Sequence, residues 1–156
     1  MTNLKPIYIK IEAKVSDGNL LVGEHIIEGH EKKTFAFLSH LCHPGQANDG
    51  IAGVLVGVEI MKRLKQRKEK TRFNYQLLIF PETIGSAVYL ADNQYRFEEY
   101  LGSLFIEMPG AGKYLTFNHS RKGQLYFDKL LKYVVKKADP NYHENQFHRG
   151  MCNDKN

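Results

Sequence analysis

The sequence predicts an α/β fold: a mixed, largely parallel sheet flanked by helices, with a hairpin at its N-terminal edge. Two observations predict it. Apolar and polar residues alternate near the start of the chain, and after residue 34 short apolar runs alternate with longer helical patterns. Strands that alternate with helices build parallel sheets, because each return to the same end of the sheet needs a crossover. We therefore expect a single domain over residues 1–156, ending in a polar tail at 141–156.

The predicted hairpin occupies residues 7–27. Residues 7–15 place an apolar side chain at every second position, which predicts a strand with one buried face. Asp17, Gly18 and Asn19 form a turn signal, and residues 20–27 predict the returning strand. The sequence thus predicts an antiparallel pair at the edge of the parallel sheet.

The alternating elements follow the hairpin in a regular order. Strands are predicted at 34–41, 73–80 and 104–108, and helices at 51–66, 84–91 and 123–138. The first half of helix 51–66 is apolar on all sides and contains Gly53 and Gly57, so we expect this helix to be buried. Asp139 and Pro140 end the last helix, and the tail after them has no core pattern.

The composition argues against several classes of protein. Hydrophobic residues make up 42% and charged residues 25% of the chain, as in ordinary soluble domains. There is no run of about 18 apolar residues and no apolar signal core at the N-terminus, so we expect no membrane association. Only two cysteines occur, Cys42 and Cys152, which argues against a disulfide scaffold and favours a reducing, cytoplasmic setting.

The net charge of +5 and the pI near 9.1 do not by themselves indicate a nucleic-acid partner. Much of the positive excess lies in residues 62–72, where the predicted helix ends and where cations stabilise the helix dipole. The sequence has no helix-turn-helix pattern and no basic stripe with interleaved aromatic residues. We expect a solvated helix end and no nucleic-acid binding.

Residues able to bind a metal follow the first strand of the parallel part. His40 and His43 lie at its end, and Asp49 lies at the start of the next helix. Imidazole nitrogens and carboxylate oxygens are the ligands of catalytic zinc. In the alternative interpretation the two histidines are polar turn residues, and Asp49 or Asn48 serves only as the helix N-cap.

Two glutamates follow the next two strands. Glu82 comes after a wholly apolar strand, where burial can raise its pKa toward that of a general base; it could instead be a first-turn residue that favours the helix dipole. Glu107 interrupts an apolar strand, so its carboxylate needs a metal, an arginine or water as partner. Because sites in such sheets form at the carboxyl ends of the strands, we group both glutamates with the histidines.

These segments together resemble a known family. Residues 47–53 (Ala-Asn-Asp-Gly-Ile-Ala-Gly), between a histidine-ended strand and a buried helix, are similar to the co-catalytic zinc aminopeptidases. Residues 42–44 (Cys-His-Pro) and 81–86 (Pro-Glu-Thr-Ile-Gly-Ser) resemble more closely the aminopeptidase-like domain found near bacterial surface-polysaccharide biosynthesis genes. Residues 120–123 (Ser-Arg-Lys-Gly) and 153–155 (Asn-Asp-Lys) fit that subfamily as well.

The resemblance implies a zinc-peptidase-like fold that holds one or two zinc ions and hydrolyses an amide, usually at a peptide N-terminus. It implies that His40 or His43 is a zinc ligand, that Asp49 bridges two metals, that Glu82 is the general base and that Glu107 binds the second metal. The expected substrate is a peptide or another small amide.

The chain departs from the family pattern at three points. The family has an aspartate two residues after its first histidine, where this sequence has Cys42, so the choice between His40 and His43 stays open. The family has two adjacent glutamates, whereas Glu82 stands alone. The family also places a last histidine ligand beyond an Asn-Asp-Lys-like motif. These departures lead us to expect a partial, truncated domain with weak or no activity and an exposed apolar edge that could favour a homo-oligomer.

Two other functions remain open. One is an amidase or deacetylase acting on an amino sugar in surface-polysaccharide biosynthesis. The other is a non-catalytic remnant of the fold that binds a partner. Bound zinc would separate the two enzymes from the remnant, and release of a free amino acid would separate the peptidase from the amidase.

Overall fold

A computed structural model describes residues 7–110 and 112–147 of the chain. In chain order its elements are β1 (Gly23–Ile27), β2 (Glu31–His40), α1 (Gly53–Lys65), β3 (Phe73–Phe80), α2 (Ile84–Asp92), β4 (Tyr100–Phe105), β5 (Thr116–Asn118), α3 (Tyr126–Ala138) and β6 (His143–Asn145). A π-helical turn, Ala47–Ala52, precedes α1, and a 3-10 helix, Gln94–Glu99, precedes β4. No helix in these ranges is long and apolar enough to cross a bilayer.

The main sheet has four strands in the order β1-β3-β2-β4. β2 runs parallel to both β3 and β4, and β1 runs antiparallel to β3 at the edge. The crossovers through α1 and α2 bring the carboxyl ends of β2, β3 and β4 to one edge of the sheet. This arrangement confirms the predicted mixed, largely parallel sheet flanked by helices.

The core lies between α1 and one face of the sheet. Phe37, Met61, Leu77 and Ile106 form its buried centre. Gly57 lets α1 approach closely, because a Cβ there would lie 2.7 Å from Leu77 Cδ1. Replacing a core side chain such as Leu77 by Ala would cost about 2–5 kcal/mol of stability. The core therefore holds α1, and the turn before it, against the strands.

The predicted hairpin and the predicted burial of α1 on all sides are both wrong. Residues 7–22 carry no regular structure, and the side chains of Ile9 and Val15 are 81% and 98% exposed. Only the second half of the predicted returning strand forms, as β1, and it pairs with β3 instead. Leu55 on α1 is 61% exposed, because the helix covers the sheet with one face only.

A smaller unit follows the main sheet. β5 and β6 form a two-stranded parallel sheet, and α3 joins them. The ring of Phe127 on α3 packs 5.2 Å from the ring of Phe35 on β2, measured between centroids, which anchors α3 to the main core. β6 lies in the polar tail, for which the sequence predicts no strand. Residues 148–156 of that tail lie outside the described residues.

Candidate metal centre

The predicted strand-end residues lie at the ends of three neighbouring strands. His40 is the last residue of β2 and pairs with Phe80, the last residue of β3; Glu82 lies two residues beyond it. β4 ends at Phe105, so Glu107 follows this strand rather than interrupting it, which corrects the prediction. The N–H of Ile106 still donates to the carbonyl of Leu38 at 2.8 Å, and this bond holds Glu107 beside His40.

His40 is the centre of the site. Its side chain is completely buried, and its Nε2 lies 3.0 Å from Asp49 Oδ1 and 3.4 Å from Glu107 Oε1. Nevertheless Nε2 has no hydrogen-bond partner among the described residues. A buried imidazole nitrogen close to two carboxylate oxygens, without a hydrogen bond to either, is an uncommon arrangement that needs a physical explanation.

Asp49 reaches His40 through the π-helical turn. Its backbone is not helical (φ −101°, ψ 83°), and its side chain caps no helix; α1 begins at Gly53 after Ala52. The N-cap alternative for Asn48 and Asp49 is therefore wrong. The Oδ1 of Asn48 instead accepts the N–H of Gly110 at 2.9 Å, which ties the turn to the loop after β4.

Gly50 explains why this turn can approach β2 so closely. A Cβ at Gly50 would clash with the carbonyl of His40 and lie 3.1 Å from the His40 ring. Only glycine fits against the strand at this point. Gly50, which follows the candidate ligand Asp49, therefore sets the distance between the turn and His40.

His43 and Glu82 form the other half of the cluster. His43 Nε2 is hydrogen-bonded to Glu82 Oε2 at 3.1 Å and lies 3.9 Å from Asp49 Oδ1. The rings of His40 and His43 are nearly perpendicular, with centroids 5.3 Å apart. All five predicted residues thus converge, with Asp49 between the two histidines.

The structure adds one residue for which the sequence analysis assigned no role. Cys42 Sγ lies 3.5 Å from His40 Nδ1 and accepts the backbone N–H of Glu82 at 3.3 Å. The only sequence signal was its position two residues after His40, where the family pattern has an aspartate. Cys42 therefore contacts the buried histidine and the loop that carries Glu82. We call His40, Cys42, His43, Asp49, Glu82 and Glu107 the strand-end cluster.

The charges of the strand-end cluster are unbalanced. Burial raises the pKa of Glu107, the negative charges of Glu82 and Asp49 raise it further, and His40 opposes the rise. Three carboxylates share the site with two imidazoles, so a bound cation would relieve their mutual repulsion.

Backbone strain also marks the cluster. Among the described residues, Thr83 (φ 59°) and Met108 (φ 37°) are the non-glycine residues with positive φ. Each directly follows one of the two glutamates, Glu82 and Glu107. Such strain is costly for a β-branched residue like Thr83 and occurs preferentially at functional sites. The strain therefore supports a functional interpretation of both glutamates.

The donor set fits zinc. Two ligands of a tetrahedral zinc ion lie about 3.3 Å apart when each is about 2.0–2.1 Å from the metal. The separations of His40 Nε2 from Asp49 and Glu107, 3.0 Å and 3.4 Å, are close to that value. A second group of candidate ligand atoms, from His40, Cys42, His43 and Glu82, lies within 4.8 Å of one another. The cluster thus has ligand atoms for one ion, or for two neighbouring ions with Asp49 between them.

A second polar cluster lies between β5, α3 and β6, and the sequence analysis did not predict it. Asp128 accepts the backbone N–H and the hydroxyl of Ser120, both at 2.7 Å, and the N–H of Leu125 at 2.9 Å. Glu144 accepts His119 Nε2 at 2.7 Å and Lys132 Nζ at 2.8 Å. We call His119, Ser120, Asp128, Lys132 and Glu144 the α3 cluster.

Two known proteins from one organism are similar to this chain. A protein of Clostridium acetobutylicum named "Putative polysaccharide biosynthesis protein with aminopeptidase-like domain" is 28% identical over 139 residues, which are 89% of this chain and 32% of that protein. A crystal structure of a "putative peptidase" from Clostridium acetobutylicum is similar with a TM-score of 0.75 and 28% identity, over 81% of this chain and 29% of that one. The chain thus spans about a third of the length of these relatives.

The family described as "Domain of unknown function (DUF4910)" matches residues 9–156, a range that contains the whole strand-end cluster. Because this match covers nearly the entire sequence, the chain belongs to the DUF4910 family.

Proposed function

We propose that the strand-end cluster is the zinc centre of an aminopeptidase-like amide hydrolase. The observation that carries the proposal is the buried Nε2 of His40, which faces the carboxylates of Asp49 and Glu107 without a hydrogen bond. A nitrogen lone pair and carboxylate oxygens repel one another unless a proton or a cation lies between them. The absence of a hydrogen bond favours the cation. The names of the two relatives support the peptidase class.

In this proposal His40, Asp49 and Glu107 hold one zinc ion, and His43 with Asp49 provides the position for a second. When bound, zinc would supply a Lewis acid that polarises the amide carbonyl and stabilises the charge developing on its oxygen. Asp49 Oδ1 lies 3.0 Å from His40 Nε2 and 3.9 Å from His43 Nε2, so this residue is the candidate bridge.

Glu82 is the proposed general base. Its side chain is about one-third exposed, so a substrate and a water molecule can reach it, and its Oε2 lies 3.1 Å from His43 Nε2, beside the proposed metal position. The carboxylate would take a proton from the attacking water and pass it to the leaving amine as the amide C–N bond breaks. The strained residue Thr83 and the hydrogen bond from the Glu82 N–H to Cys42 hold the backbone at this position.

The chain spans about a third of the length of the relatives it matches, so their activity as whole proteins is not expected of these residues alone. We therefore propose weak zinc binding and little or no turnover by these residues. The same reasoning makes metal binding, rather than activity, the primary measurement for this chain.

The test is a comparison of Glu82→Gln with the unmodified chain. We expect zinc affinity within about threefold of the unmodified value, because loss of a base leaves the ligands intact; the same change in an active, full-length relative should abolish the release of amino acid from aminoacyl amides while metal still binds. Glu59→Gln, on the exposed side of α1, is the matched control and should change neither property. If Glu82→Gln abolishes zinc binding, Glu82 is a ligand; if the unmodified chain binds no zinc, the proposal is wrong.

A second candidate is an amidase or deacetylase acting on an amino sugar, favoured by the polysaccharide-biosynthesis name of one relative. The same zinc centre would attack an N-acyl group on a sugar instead of a peptide bond. Release of acetate from N-acetylated amino sugars, with no release of amino acids from aminoacyl amides, would select this candidate. If the chain binds no zinc, the remaining alternative is the non-catalytic remnant.

A further inference from the structure

We infer that Cys42 is a positioning residue that holds the ring of His40 with Nε2 toward the metal position. The inference rests on the proposed zinc centre. Three contacts carry it: the 3.5 Å contact between Cys42 Sγ and His40 Nδ1, the N–H of Glu82 that donates to the same sulfur, and the buried, unpartnered Nε2 of His40.

The two nitrogens of His40 have different surroundings. Nε2 faces the carboxylates of Asp49 and Glu107, whereas the partner of Nδ1 among the described residues is the sulfur of Cys42. To bind a cation, Nε2 must carry a free lone pair, so the ring proton must lie on Nδ1. Nδ1–H then needs an acceptor in this buried position, and the sulfur provides it.

The same sulfur connects His40 to the base. Because the backbone N–H of Glu82 donates to Cys42 Sγ at 3.3 Å, one atom fixes both the ring of His40 and the start of the loop that carries Glu82. The loop continues into Thr83, whose strained backbone needs such support. Loss of the sulfur would therefore loosen a proposed ligand and the proposed base together.

A thiol at this position also has an electrostatic advantage. An aspartate would add a fourth carboxylate to a site that already contains Asp49, Glu82 and Glu107, where burial and then charge repulsion raise the pKa of Glu107. Neutral sulfur can accept N–H groups without that repulsion, although it is the weaker acceptor. We infer a positioning role rather than direct ligation because Cys42 meets His40 at Nδ1, on the edge of the ring away from the Nε2 ligand position.

The test measures zinc affinity by competition with a chromophoric chelator of known affinity. Cys42→Ala should weaken zinc binding by about 10–100-fold, as loss of an outer-shell partner does, and Cys42→Asp should restore it to within about threefold, because a carboxylate also accepts Nδ1–H. The melting temperature of the metal-free chain should change little in either variant. Equal zinc affinity in Cys42→Ala and the unmodified chain would overturn the inference while leaving the proposed function intact.

Two spectroscopic measurements complete the test. The cobalt(II)-loaded chain should lack the near-ultraviolet charge-transfer absorption of a sulfur ligand; its presence would make Cys42 a ligand and overturn the positioning role. In ¹⁵N spectra of the metal-free chain, His40 Nδ1 should carry a proton in the unmodified chain and in Cys42→Asp. An unprotonated Nδ1 would show that the thiol donates to the ring, and would overturn the inference even if no zinc binds.

Discussion

The strand-end cluster and the α3 cluster both combine histidine with aspartate and glutamate, but the pKa values of their carboxylates shift in opposite directions. In the α3 cluster, Lys132 and then His119 lower the pKa of Glu144 to about 2. Burial alone would raise the pKa of Asp128, but the N–H and hydroxyl of Ser120 and the N–H of Leu125 lower it instead. In the strand-end cluster the pKa of Glu107 is raised.

The difference lies in the hydrogen bonds. Each carboxylate of the α3 cluster accepts several donors, so that cluster holds β5, α3 and β6 together. The strand-end carboxylates Asp49 and Glu107 face an imidazole nitrogen that hydrogen-bonds to neither of them. His119 Nδ1 of the α3 cluster is likewise buried without a hydrogen-bond partner, 3.8 Å from Asp128 Oδ1. The contrast between the clusters therefore lies in their carboxylates: those of the α3 cluster accept several protein donors, whereas Asp49 and Glu107 accept no hydrogen bond from His40.

Replacing the central histidine of each cluster should give the largest difference in zinc affinity between the two clusters. His40→Ala should weaken zinc binding by more than about 100-fold, beyond the loss caused by removing an outer-shell partner, whereas His119→Ala should leave it unchanged. Zinc present at 100 times its dissociation constant should stabilise the unmodified chain by about 2.7 kcal/mol, and His40→Ala should lose this gain. Calorimetric titration and zinc-dependent thermal unfolding measure both effects. Equal losses in the two variants would remove the distinction between the clusters.

Asp128→Ala should lower the stability of the fold without changing its zinc affinity. The side chain is 5% exposed and accepts three hydrogen bonds, one of them from the N-cap residue Leu125. Its removal should lower the free energy of unfolding by about 2–3 kcal/mol, because a helix cap is lost and buried donors are left unpaired. Zinc affinity should not change. Asp92→Ala, at the exposed end of α2, is the control and should stay within about 0.5 kcal/mol in denaturant unfolding.

The smallest expected effect is the pH dependence caused by Glu144. Its pKa falls from an ordinary value of 4.5 to about 2 in the folded chain, so its contribution to stability is complete above pH 4.5 and disappears as the pH falls toward 2. In Glu144→Gln the free energy of unfolding should therefore fall less steeply between pH 4.5 and pH 2, as measured by urea unfolding at several pH values. An unchanged pH profile would show that the ion pair with Lys132 is screened by solvent.

The parallel core could be predicted because its signals are local. The β3 prediction matches residue for residue, since an apolar run bounded by turn residues specifies a buried strand without reference to its partners. The end of β2 and the start of α2 also follow from local punctuation by Pro44, Gly45 and Pro81. Because sites in parallel sheets form at the carboxyl ends of the strands, the ends of β2, β3 and β4 could then be grouped at one edge from the sequence.

The failures share a different cause. Residues 7–15 alternate well, but alternation shows only which face of a strand would be buried and not which strand will pair with it. Likewise, the apolar residues on all sides of α1 do not show how many of its faces pack against other elements. In the site, the sequence assigned no role to Cys42 and left open a capping role for Asp49. The contacts of both residues with His40 are set by the turns after β2, and residue type does not reveal the geometry of those turns. The α3 cluster was missed because Asp128 meets Ser120 across a turn that no local pattern predicts.

The strands that carry the strand-end cluster pair across long stretches of chain. The Ser39 hydroxyl reaches the carbonyl of Ile106 over 67 positions, and Cys42 meets Glu82 over 40. Contacts at such separations form late and slowly in folding, since the entropy of closing long loops opposes them until the sheet is assembled. The proposed zinc ligands therefore come together only when all three strands have docked, and during refolding the uptake of metal would measure the completion of the sheet rather than the formation of its helices.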